Sequence, residues 1–150
     1  MKLHPQVEAA VEFERAREAL DAGETLAALA HLEKSLSLHD NPSLKSYLGY
    51  CIAKERGHVK KGIELCRESI LIEPEAPVHH LNLGKIHLLS GDKTEALRVL
   101  REGRAKGEHD EIMRLLTQIG TRKPPVFPSL SRDNPLNRYL GMLLSRLGLR

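Results

Sequence analysis

The chain has 150 residues, 41% hydrophobic, 29% charged and 3% aromatic with no Trp, which fits one soluble domain or a short helical array and excludes two full-size enzyme domains. Twenty-three Lys and Arg against twenty Asp and Glu leave a formal charge of +3, so no field of one sign designates nucleic acid or a membrane as partner. Two cysteines cannot form a disulfide scaffold, the first fifteen residues lack the apolar stretch of a signal peptide, and no apolar run approaches the roughly 18 residues that cross a bilayer, so the expectation is a cytoplasmic protein with no transmembrane segment.

Taken in chain order, apolar residues recurring at i, i+3, i+4 and i+7 predict helices over 7–22, 25–38, 43–56, 59–72, 77–90 and 93–106. Start signals agree: Asn41-Pro42, Pro77, and Asp92 with Glu95 as a variant capping box. A seventh helix over 109–119, with Ile112, Leu115, Leu116 and Ile119 on one face, is expected to cap the preceding array and to stop at Gly120. Pro124, Pro125 and Pro128 then define a linker over 121–134, long enough to reach roughly 45 Å when extended. Asn134 and Pro135 start an eighth, amphipathic helix over 135–150, whose stripe is Leu136, Tyr139, Leu140, Leu143, Leu144 and Leu147.

An internal repeat organises the first 120 residues. Gly23, Gly57 and Gly91 are spaced 34 residues apart, and the same offset relates Ala28, Gly62 and Ala96, then Leu29, Ile63 and Leu97, then Leu32, Cys66 and Leu100. Each unit is two helices around a glycine turn. This period resembles the tetratricopeptide repeat, with units at about 9–41, 42–76 and 77–108. Leu83-Gly84, Gly91 and Ala96 match that family's pattern in the third unit, and Leu48-Gly49, Gly57, Gly62 and Pro74 match it in the second. Ala16, Gly23 and Ala28 match in the first, where Arg15 and Asp40 replace the usual Leu and Pro. Glu12, Lys45 and His80 stand where the family has an aromatic, and the second unit carries one extra residue between Gly49 and Gly57. Gly49 and Gly84 are the positions where small size lets two helices lie close. The resemblance covers residues 9–108 and implies an all-α, right-handed solenoid whose first helices line a concave face. The tail, with its prolines and Asn-Pro-Leu-Asn, is similar to the ends of other short bacterial repeat proteins of this kind, a likeness that carries no activity.

For such a scaffold the implied activity is non-catalytic: an adaptor holding a peptide of a partner protein in the groove. Aligning the units places Phe13, Glu14 and Arg17, then Ser46, Tyr47, Tyr50 and Lys54, then Leu81, Asn82, Lys85 and Leu89 on the concave face. Partner contact is expected at Phe13, Arg17, Tyr47, Tyr50, Lys54, Asn82, Lys85 and Leu89, with Arg17, Lys54 and Lys85 giving a basic cast. The family's clamp for chaperone tails is not expected, because Phe13, Arg17 and Tyr47 occupy its key positions. A one-client secretion or assembly chaperone and a homo-oligomer joined through the C-terminal helix are the competing readings.

Other chemistry finds no support in the spacing. His79, His80 and His87 do not form an i, i+4 metal pair and are read as surface or groove residues. Cys66 occupies a core position, neither cysteine has a local base, and Ser35 and Ser69 are small packing residues. No phosphate-cradling glycine loop occurs, so no cofactor and no metal are expected. Charge signs interleave along the array, which argues against nucleic acid. Residues 121–150 carry six cations against Asp133 alone. Their apolar stripe has three destinations, the chain's own array or groove, a second copy, or a partner or membrane surface. Packing on protein is expected, and occupancy of a groove by the tail would make it a competitor of the partner.

Overall fold

A left-handed glycine closes each of the first three helical hairpins: Gly23, Gly57 and Gly91 have φ of +76°, +70° and +81°, a region that other residues enter only with strain. The computed structural model describes residues 4–120, 129 and 133–149. In order, the helices are α1 (Pro5–Asp21), α2 (Thr25–Leu38), α3 (Lys45–Arg56), α4 (Val59–Ile72), α5 (Pro77–Leu89), α6 (Lys93–Lys106), α7 (Asp110–Gly120) and α8 (Pro135–Arg146). Among the described residues there is no strand. The chain divides into two compact units, Met1–Ile119 and Gly120–Arg150. Most of the linker expected over 121–134 lies outside the described residues.

The first unit is a tetratricopeptide helical solenoid. Helices pair as α1 with α2, α3 with α4 and α5 with α6, and neighbouring pairs meet through α2, α3, α4 and α5. Three apolar clusters follow that order along the unit. Ala16, Ala28, Leu29, Leu32, Cys51, Ile52 and Leu65 join the first pair to the second. Ala53, Cys66, Leu83, Ile86 and Val99 join the second to the third. Leu81, Leu100 and Ile112 seat α7 on the third. Burial of each large side chain stabilises the array by about 1.5–3 kcal/mol. The Thr25 hydroxyl also donates to the Glu55 carboxylate, tying α2 to α3.

The eighth helix, expected over 135–150, ends at Arg146, two residues before the left-handed Gly148 with φ of +67°, and two departures from the expected boundaries in the first unit have physical causes. The helix expected from residue 43 begins instead as a 3-10 turn, Pro42–Leu44, and becomes α-helical at Lys45. Ser69 of α4 explains it: its hydroxyl donates to the Pro42 carbonyl at 2.7 Å and accepts from the Ser46 N–H at 2.9 Å, occupying the place of the direct backbone bond. The extra residue of the second unit is absorbed at the end of α3. There His58 N–H reaches back to the Ile52 carbonyl, where the equivalent bonds elsewhere run from Glu24 to Ala19 and from Asp92 to His87, one residue shorter.

Glu12, at the position of the missing aromatic, is 2% exposed. It is held by Lys34 at 2.8 Å, His31 at 2.7 Å and Arg15 at 2.9 Å. Those donors, Lys34 first and His31 second, bring its carboxyl down to about 2. An ion cluster thus fills the place of a ring between α1 and α2.

In the second unit, Asn134 Oδ1 accepts from the Leu136 N–H at 3.0 Å and Pro135 is the first residue of α8, which sets where that helix starts. Leu136, Tyr139, Leu143 and Leu147 are exposed, and Leu140 and Leu144 are half-buried. No helix among the described residues is long and apolar enough to cross a membrane.

Candidate functional site

The first helices of the three pairs, α1, α3 and α5, present one common face, and the start of α7 extends it. Two clefts adjoin there. Arg17, Tyr47, Asn82 and Lys85 line the first together with Leu20, Asp21, Val78, Leu81, His109 and Glu111. Tyr50, Lys54, Lys85 and Leu89 line the second together with Leu20, Gly23, Thr25, Leu88, Glu111 and Leu115. Phe13 stands outside both. Its ring meets Tyr47 edge to face, with centroids 5.2 Å apart at 76°, so it sets the Tyr47 ring, and it lines a separate cleft with Ala9, Ser35, Asn41 and Leu44. Burial raises the Tyr47 phenol above its ordinary range, which keeps the hydroxyl protonated as a donor.

Charge in this face is arranged differently from the basic cast read in the sequence. Arg17 pairs with Glu14 at 3.1 Å. Lys85 pairs with Glu111 of α7 at 2.7 Å, and its ammonium lies 4.9 Å from the centroid of the Tyr50 ring. Lys54 is exposed and, among the described residues, makes no ion pair. Asp21 and Glu111 were missed by pairing the repeats alone. A signal for the second did exist, since Glu111 lies 34 residues after Pro77 and so falls in the first turn of the next helix in register.

Asn82 is 3% exposed, more deeply set than its expected contact role. Its Nδ2 donates to Ser46 Oγ at 3.1 Å. Ser46 Oγ in turn lies 2.7 Å from His79 Nδ1, and His79 Nε2 lies 2.8 Å from Glu73 Oε2. A proton on Nε2 satisfies the whole chain, with Ser46 donating to Nδ1 and His79 donating to Glu73. The bond from His79 is the first cause of the lowered Glu73 carboxyl. Serine, imidazole and carboxylate in a row resemble a hydrolytic relay. However, Ser46 is fully buried, so no substrate carbonyl reaches its oxygen, and the chain serves to pin α3 to α5.

The histidines correct an expectation. His79, His80 and His87, read as surface or groove residues, are 1%, 5% and 7% exposed. The reason is the position of α5, which packs on α3, α4 and α6 at once and is covered on nearly every side. Burial lowers the affinity of His80 and His87 for a proton. Among the described residues, His80 Nδ1 and His87 Nε2 are buried without a hydrogen-bond partner, which fits neutral rings. Burial also pushes the Cys51 thiol up to about 12 and the Cys66 thiol higher still, a state unsuited to nucleophilic attack.

No protein-family model and no curated protein matches the chain. Among solved structures, the chain is similar to the TPR domain of Sgt2 from Aspergillus fumigatus. The two are 17% identical with a TM-score of 0.59, and the match covers 87% of this chain and 93% of that one.

Proposed function

We propose that this chain of tetratricopeptide fold is a non-catalytic adaptor that binds a peptide segment of a partner protein across α1, α3 and α5. One observation carries the reading: Arg17, Tyr47, Tyr50, Lys54, Lys85 and Leu89, from three successive units, converge on two adjoining clefts. A peptide laid across them meets aromatic area, cations and the Leu89 side chain in turn, the combination that gives contact area together with orientation. Solenoids of this kind recognise partners through such extended faces.

Photo-crosslinking tests the proposal. A benzoylphenylalanine placed at Lys54 or Leu89, on the cleft, is compared in cells with one at Leu71, which is 82% exposed on α4. A discrete partner captured from the cleft positions and absent from the α4 position supports groove binding. Capture from all three positions alike, or of a second copy of the chain alone, overturns it.

A further inference from the structure

The following rests on the groove reading above and concerns what the groove takes. Lys85 lines both clefts, and the carboxylate it holds belongs to none of the three paired units. Glu111 stands in the first turn of α7. The next residue, Ile112, is fully buried with Leu81 and Leu100, so the backbone beneath the carboxylate is anchored. Arg114, one turn further along, lies 3.7 Å from the same Glu111 oxygen that Lys85 holds. Glu111 therefore has a second cation on its own helix. When it turns there, Arg17 keeps Glu14 of its own helix, and Lys54 and Lys85 face Asp21 as the one other carboxylate among the residues that line the two clefts.

We propose that Glu111 is a built-in competitor for Lys85, and that the groove's occupant is an acidic peptide segment whose Asp or Glu side chain takes Lys85 from it. The incoming carboxylate meets an ammonium already stationed over the Tyr50 ring, and Glu111 passes to Arg114. Because a new ion pair replaces an existing one, the net gain is small and selectivity outweighs affinity. Like-charge contact with Asp21 and Glu111 also disfavours segments that present acids at the wrong register.

Selection from a random dodecapeptide library displayed as fusions through the peptide C-terminus supplies the test, since every carboxylate then belongs to a side chain. Enriched sequences are synthesised with both ends blocked, and binding is measured by fluorescence anisotropy against the full chain and the variants Glu111→Gln, Lys85→Gln and Tyr50→Ala. The expected result is enrichment in Asp and Glu, about three- to fivefold tighter binding by Glu111→Gln, and roughly tenfold weaker binding by Lys85→Gln. Glu111→Ser reads the same gain should the amide disturb α7. Tyr50-dependent binding of peptides without acids, or equal affinity for wild type and Glu111→Gln, overturns this inference and leaves the groove reading standing. An absence of any Tyr50-dependent binding overturns both.

Discussion

Gly49 of α3 and Gly62 of α4 face one another so closely that a Cβ on either would lie 2.6 Å from the carbonyl oxygen of the other. The obstacle is backbone on both sides, so neither helix can relieve it by a change of rotamer. Gly49→Ala and Gly62→Ala should each destabilise the chain by about 1–3 kcal/mol. Urea denaturation followed by circular dichroism measures it, and a midpoint equal to wild type would contradict the close approach. Gly120, with nothing among the described residues within 4 Å of an added Cβ, is the control: Gly120→Ala should leave the midpoint unchanged or raise it.

Ser46→Ala removes the atom that accepts from Asn82 and meets His79. Two buried polar groups then lose their partner, and the expected cost is about 1–3 kcal/mol. Exchange of amide hydrogens should accelerate first in α3 and α5, the helices that this residue joins. Uniform acceleration across α1 and α6 as well would mean that the network is not a local pin.

Acid should weaken the fold in two windows. His80 and His87 have folded pKa values depressed below the ordinary 6.5, so the unfolded chain binds protons first, and their contribution, complete above 6.5, is lost as pH falls through the folded values. Glu12 is depressed from 4.5 to about 2; its contribution is present above 4.5 and disappears as pH falls towards 2. Denaturation midpoints between pH 8 and pH 3 test this. His87→Gln should weaken the pH dependence of the upper window only, leaving the share of His80, and Glu12→Gln that of the lower only, leaving the share of Glu73, and a midpoint that is flat across both windows in the wild type would refute the assignment.

Neither thiol should react in the native state. Cys51 and Cys66 are fully buried, and burial pushes Cys51 up to about 12. Titration with a chromogenic disulfide at pH 8 should release no thiolate anion of the reagent until denaturant is added, after which two equivalents appear. Rapid reaction of either cysteine without denaturant would show that the core opens locally.

The architecture was legible because it is a matter of period. Glycines at 34-residue spacing, with small and apolar residues repeating at the same offset, specify paired helices and their turns without reference to distant contacts. The starts of α5 and α8 at Pro77 and Pro135 were equally local, and so was the cap of α6, where Asp92 accepts from the Glu95 N–H. Most of the candidate face was legible for the same reason, since residues one repeat apart share a position. Its charge was not. Lys85 reads as a free cation until α7 brings Glu111 beside it, and Arg17 reads as one until its rotamer meets Glu14.

The sequence by itself determined the helices, their order and the face they share, because propensity, turn chemistry and hydrophobic period act over a few residues and recur in register. Only the tertiary structure decided which polar groups on that face are available. Burial and pairing depend on what the neighbouring units cover: Asn82 turns inward to Ser46, α5 is enclosed so that its histidines become core, and α7 delivers a carboxylate to Lys85.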